Sequence, residues 1–273
     1  MDTRVLLRFI GFTATSLAQK ASLVLVVLAV CLTVSAAYAF KEDIVGAWTF
    51  DEGEGDVVND LSGNENHGNR MGKAEWVQGK FNSPALRLED DSTYVEIPFS
   101  DSLNVHEGDL TFAAWVKLDE IAAHNMVLFV QTDVGATGRN WLEANTASST
   151  LVSYLGGGAK DSGFKVEVDT WYHVAVVVAN GSLQIYVNGK PEGDTWPVSV
   201  EPSKGEFRIG RHKKDSGEVW PGVVDEVVLV RKALSQAEIE TLMIKGLAVN
   251  LGLAVNASGK LATNWGNIKA QTS

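Results

Sequence analysis

Thr170-Trp171-Tyr172-His173-Val174-Ala175-Val176-Val177-Val178, then Ala179-Asn180-Gly181-Ser182, then Leu183-Gln184-Ile185-Tyr186-Val187 are two runs dense in β-branched and aromatic residues, joined across an Asn-Gly pair. Such a pair supplies the positive φ angles that a tight turn needs, so the stretch reads as a β-hairpin. A second turn follows at Asn188-Gly189-Lys190-Pro191. Outward from the hairpin the same grammar repeats, with short apolar runs separated by clusters of Gly, Asn, Asp and Ser. That spacing fits an antiparallel sandwich and not alternating β-α units. Strands are expected at Ile44–Phe50, Ala85–Leu88, Tyr94–Ile97, Leu110–Leu118, Met126–Gln131, Trp141–Ala144, Leu151–Leu155, Tyr172–Val178, Leu183–Val187, Phe207–Arg211 and Gly222–Val230. Eleven strands suffice for two packed sheets, an all-β fold. One short helix is expected near the C-terminal end, over Gln236–Ile244. Ser235 and Glu238 form its capping box and Gly246 ends it.

The 273 residues divide unevenly. Arg4, Arg8 and Lys20 precede the apolar run Ala21–Val34, and Ala37-Tyr38-Ala39 follows before any further charge. This pattern reads as a signal peptide over residues 1–39, since the run is about 14 residues against the roughly 20 of a spanning helix. The alternative is a retained anchor. A main domain is expected over 40–246, and a tail over 247–273 that packs as an extra strand, links onward or trails free. Cleavage removes three basic residues and one acidic one, taking the formal charge from -11 to -13. It also removes Cys31, the only cysteine, so no disulfide framework is available to the mature chain. With no clustered Lys/Arg stripe, the acidic balance argues against a nucleic-acid partner. After signal cleavage no membrane association is expected either; the destination is secreted, extracellular or the cell envelope.

Three segments together resemble the laminin-G-like jelly-roll domains of the concanavalin A-like lectin/glucanase superfamily. They are Gly46-Ala47-Trp48-Thr49-Phe50-Asp51-Glu52-Gly53-Glu54-Gly55 running on to Asn59-Asp60-Leu61-Ser62-Gly63-Asn64-Glu65-Asn66-His67-Gly68; Trp171-Tyr172-His173-Val174-Ala175 with Tyr186-Val187-Asn188-Gly189; and Trp220-Pro221-Gly222-Val223-Val224-Asp225-Glu226-Val227 with Arg231-Lys232-Ala233-Leu234-Ser235. The resemblance implies a jelly roll whose first and last strands are neighbours. It also implies a structural calcium, held by Asp60 with Asn64 or Asn66 from the first loop and by Asp225 from the last strand. The loop is dense in oxygen donors and glycine, as calcium sites are, although plain turns use the same residues. In a regular strand the adjacent Asp225 and Glu226 face opposite ways, so one of them needs a buried partner or a metal.

Some relatives in that superfamily are glycoside hydrolases, with paired carboxylates on one strand face. The nearest string here, Glu167-Val168-Asp169-Thr170-Trp171, has Trp171 in place of the second glutamate and falls in a turn. No nucleophile elbow, zinc-protease helix or phosphate loop is present. A non-catalytic binding module is therefore expected, with a glycan as ligand. The alternative is an adhesion domain with an extracellular protein partner, and a glycoside hydrolase is the remote one. Of eight tryptophans, Trp48, Trp115 and Trp171 alternate with apolar neighbours and read as core, whereas Trp76, Trp141, Trp196 and Trp220 stand near turns or strand ends and are candidates for an exposed sugar platform. Arg139, Asn140 and Trp141 close the longest polar loop of the domain and, with Trp220, are the candidate ligand residues.

Overall fold

The computed structural model describes residues 40–252 other than 106–107, 132–138 and 213–217; the expected signal segment over 1–39 and the chain from residue 253 lie outside the described residues. Two antiparallel sheets face each other. The first contains β1 (Ile44–Trp48), β4 (Glu75–Gln78), β5 (Pro84–Leu88), β7 (Leu110–Leu118), β12 (Trp171–Ala179), β13 (Ser182–Val187), β14 (Lys190–Pro197) and β16 (Gly222–Val230). The second contains β2 (Val57–Val58), β3 (Gly68–Met71), β6 (Tyr94–Ile97), β8 (Met126–Gln131), β9 (Arg139–Ala144), β10 (Thr150–Ser153), β11 (Lys160–Lys165) and β15 (Phe207–Ile209). In space the first runs β14-β13-β12-β7-β16-β5-β4, with β1 also on β16, and the second runs β11-β10-β9-β8-β15-β6-β3-β2.

The decisive hairpin forms as read. Val174 to Ala179 pair with Val187 to Ser182 in unbroken register, and Asn180 and Gly181 take φ of 49° and 72° at the turn. Asn188 and Gly189 repeat the conformation at the next turn, with φ of 49° and 78°. All eleven expected strands are present. The five others, β2, β3, β4, β11 and β14, are short, polar or half-exposed strands at or next to the sheet edges. Edge strands keep one face and one side in water, so they lack the apolar alternation that marks a strand in sequence.

Between the sheets lies a core built of the inward-facing residues of both, among them Trp48, Leu86, Phe112, Phe129, Trp141, Ile185, Phe207 and Trp220. Phe129 stacks on Phe112 at 4.2 Å and on Phe207 at 5.0 Å, so rings from both sheets meet at its centre. A second core lies outside the first sheet. There the helix α1 (Gln236–Asn250) packs Ile239, Leu242 and Leu247 over Ala113, Ala175, Val177, Val228 and Val230. Alanines at the contact let the helix approach the sheet closely. Ser235 and Glu238 form the expected capping box. Gly246, at φ 72°, breaks the helix where a stop is expected, but the chain turns helical again and buries Leu247 and Leu251 against the sheet. The packed domain thus runs at least to Leu251, past the expected boundary at 246. Among the described residues no helix is long and apolar enough to cross a membrane.

Candidate functional site

The first and last strands are neighbours: β1 runs antiparallel to β16, with Ala47 opposite Val228 and Trp48 opposite Val227. Along the same side of β16, β5 takes the first half, with Gly222 to Val224 opposite Leu88 to Leu86. The two partners leave Asp225 and Glu226 between them. At this point the register with β7 shifts and Glu226 takes φ 53°. The extra residue of a bulge reverses the alternation, so the expectation of opposite faces fails. Asp225 shares a cross-strand row with Trp115 and His173, on the helix side. Glu226 points there too, accepting a hydrogen bond from the backbone N–H of Leu247 in α1.

Both carboxyls are buried. Asp225 Oδ2 accepts from the Lys80 N–H at 2.9 Å, while Oδ1 has no partner. Burial, then the neighbouring Glu226 charge, hold the Asp225 carboxyl well above the usual carboxylate range. Burial pushes Glu226 up to about 8, against the Leu247 N–H that favours its anion, with the Asp51 charge adding to the rise. A cavity of about 70 Å³ opens beside Glu226, lined also by Asp51, Phe81, Ser83, Gly246 and other residues of α1.

Asp60, Asn64 and Asn66 do not join this group. Asp60 Oδ1 accepts from the N–H groups of Ala47 (2.8 Å) and Ser62 (2.9 Å), and Oδ2 from the Ser62 hydroxyl (2.7 Å) and the Asn66 N–H (3.0 Å). Four donors occupy a carboxylate that offers about four acceptor sites. Asn64 donates its amide to the carbonyls of Ile44 and Val45. Asn66 donates to Val45 O and accepts from the hydroxyls of Ser100 and Ser102. The loop is thus a hydrogen-bonded clasp on the edge of β1, and β1 stands between it and β16. Asp60 and either asparagine, expected to share one calcium with Asp225, are thus held in the clasp and not beside Asp225. Among the described residues no three His, Cys, Asp or Glu side chains converge closely enough to hold a metal ion. His67 Nδ1 in the same loop accepts from the Asp60 N–H at 3.0 Å.

The tryptophans expected at an exposed platform divide. Trp141 is fully buried, edge-on to Phe129 at 5.6 Å and near Phe207 at 5.8 Å, and Trp220 is buried in the same core. Neither presents a face to a ligand. Trp141 is the third residue of β9 and Trp220 stands two residues before β16, and both rings are buried in the core between the sheets. Trp76 and Trp196 are half-buried against that core. Trp48 and Trp115 are buried as expected, but Trp171 is only half-buried.

Arg139 and Asn140 begin β9, opposite Gln131 and Val130; their side chains lie outside the described residues. The register of Asn140 nevertheless places it on a row across five strands. Asn140 is opposite Val130, Val130 opposite Arg208, Arg208 opposite Glu96, and Glu96 opposite Asn69. Cross-strand partners share a face, and the neighbours Val95, Phe207 and Ile209 point into the core. The row therefore lies on the outer face of the second sheet. There Arg208 pairs with Glu206 at 3.0 Å and Glu96 at 3.3 Å, and its guanidinium lies 4.9 Å from the Tyr94 ring centre. Arg211 lies 5.2 Å from the same ring and 3.8 Å from Asp91. Just past the end of β10, burial and then the charges of Glu143, Glu218 and Asp161 hold the Tyr154 hydroxyl above its ordinary range. The alternation Tyr94-Val95-Glu96-Ile97 and the string Phe207-Arg208-Ile209 mark outward polar residues in sequence. Only the register shows that they line up.

A family model matches residues 89–240 and so covers more than half of the chain. The chain belongs to the concanavalin A-like lectin/glucanases superfamily. Several solved structures share its fold at low identity. Trypanosoma rangeli sialidase in complex with sialic acid is 20% identical with a TM-score of 0.60, over 74% of this chain and 33% of that one. Domain 4 of AbnA, a GH43 extracellular arabinanase from Geobacillus stearothermophilus in complex with arabinotriose, is 21% identical with a TM-score of 0.57, over 74% of this chain and 98% of that one. The binding domain of Paraclostridial Mosquitocidal Protein 1 is 16% identical with a TM-score of 0.58, over 74% and 52%. The chain thus spans about a third of the sialidase's length. No curated protein matches the chain. At these identities the likeness is one of fold, and the fold is shared with glycoside hydrolases.

Proposed function

We propose that the chain is an exported, non-catalytic carbohydrate-binding module that reads its ligand on the outer face of the second sheet. The row Asn69, Glu96, Arg208, Val130 and Asn140 carries this reading. It sets the side chains of Asn69, Glu96 and Arg208 in a line on a rigid sheet, with the backbone of Asn140 at the far end of the same row, on the face that α1 does not cover. Carboxylates and guanidinium groups held by their neighbours match the alternating hydroxyls of a saccharide at little ordering cost. The string Glu167-Val168-Asp169 lies exposed in the turn before β12, with Trp171 where a second acid would stand, and this supports a site without catalysis. A glycan array probed with the full chain, with calcium and again with a chelator, tests the reading. Binding that falls about tenfold in Arg211→Ala is expected. Absence of binding to every glycan under both conditions sinks it, and capture of an extracellular protein through the same face favours adhesion instead.

For Asp225 alone we propose that calcium contributes. Its buried, unpartnered Oδ1 supports this, since a buried carboxylate without a full set of donors favours a cation.

A further inference from the structure

The outer face of the first sheet is only half covered. Helix α1 lies over the rows Ala175–Ala113–Val228 and Val177–Thr111–Val230. At the other end of the same strands a further row crosses the sheet, with Trp171 opposite Lys117, Lys117 opposite Val223, Val223 opposite Arg87 and Arg87 opposite Glu75. Trp171 is the half-exposed ring of this row, and Trp115 fixes it edge-on at 6.5 Å and 83°.

The groups around the ring are held but not saturated. Lys117 Nζ stands 3.9 Å from Asp119 and 3.9 Å from Asp169, too long for tight hydrogen bonds, while Arg87 closes on Asp119 at 3.1 Å. Asp169 has φ 55°, a conformation that disfavours side chains, and its N–H is pinned to Leu118 O at 2.8 Å. Its carboxylate is nevertheless 79% exposed. Val168, beside it, is also exposed. A strained, pinned residue that presents its carboxylate to water next to a rigid half-exposed tryptophan is an arrangement that plain packing does not require.

We propose that Trp171, with Asp169 and Lys117, is a second saccharide-binding site, which makes the module bivalent. An aromatic face takes the C–H side of a pyranose or furanose ring, and Asp169 and Lys117 accept from and donate to its hydroxyls. The two sites lie on opposite outer faces of the sandwich, so one ligand chain cannot fold back onto both without passing round the domain. The bivalent module cross-links polysaccharide chains. This rests on the carbohydrate reading above.

The test uses the full chain with arabinotriose and with soluble neutral polysaccharides, arabinan and xylan among them. Isothermal titration reads the stoichiometry and light scattering reads the cross-linking. Two sites per chain and a rise in scattering are expected for the unaltered protein. Trp171→Ala should leave one site and no scattering, and Arg211→Ala should keep both sites with the one on the second sheet weakened about tenfold. Asp169→Gly guards against misfolding, because glycine adopts φ 55° without strain. It should keep the thermal midpoint while weakening the Trp171 site about tenfold. One site per chain, unchanged by Trp171→Ala and by Asp169→Gly, overturns the bivalent inference and leaves the carbohydrate reading standing. No binding by the unaltered protein to any saccharide sinks both.

Discussion

Glu226 of β16 accepts a hydrogen bond from the backbone N–H of Leu247, the first residue after the kink at Gly246 in α1. The kink frees that N–H from its helical partner, and the bulge in β16 aims Glu226 at it. A side chain at Gly246 would press on the same carboxyl, at 3.1 Å from Oε2. Strand, kink and helix are thus fitted to one another at a single point. Glu226→Ala strands a buried donor and should cost about 1–3 kcal/mol in urea unfolding. Glu226→Gln keeps an acceptor oxygen and should recover most of that loss. Equal stability of the two variants would mean that the bond does not hold the helix.

Trp141 gives a prediction that separates core from platform. Packed between Phe129 and Phe207, it should cost about 3–5 kcal/mol when replaced by alanine. Trp141→Phe should lose less stability and leave glycan affinity unchanged. A Trp141→Phe variant of full stability with lost binding would restore Trp141 to the ligand site.

If calcium binds at Asp225, it should raise the thermal midpoint, by an amount equivalent to about 2.7 kcal/mol at a hundredfold excess over the dissociation constant. Asp225→Ala should abolish the rise. An unchanged melting curve on adding calcium removes the ion.

His173 lies buried in β12 against Trp115, with Nδ1 unpartnered, and burial pushes it down to about 3. Its folded form must stay neutral while the unfolded chain takes up a proton near pH 6.5, so its contribution is whole above that pH and is lost as the pH falls from 6.5 towards 3. Between those limits the unaltered protein should lose about 1.4 kcal/mol per pH unit relative to His173→Phe. Parallel stability curves for the two proteins would show that His173 is not neutral and buried in solution.

Much of this molecule is written locally. The Asn-Gly turns at 180–181 and 188–189, the alternation of β12 and β13 and the capping box at Ser235 each depend on residues a few positions apart, and each forms as the sequence implies. The pairing of β1 with β16 was legible only through the resemblance of three separated segments. Edge strands stayed hidden because their polarity matches that of loops. Burial at strand ends was misread for Trp141 and Trp220, since exposure there depends on what closes the end of the sandwich.

The sequence by itself determined an all-β chain with antiparallel hairpins and one capped helix. Tertiary structure decided where its charged groups meet. A bulge turned Asp225 and Glu226 to one side, β1 came between the Asp60 loop and β16, and strand register drew Arg208, Glu96 and Asn140 into one row. Each is a long-range relation, and a one-residue change of register would send the side chains of Arg208 and Glu96 to the other face. Local propensity fixes the period of a strand, whereas only packing fixes its register.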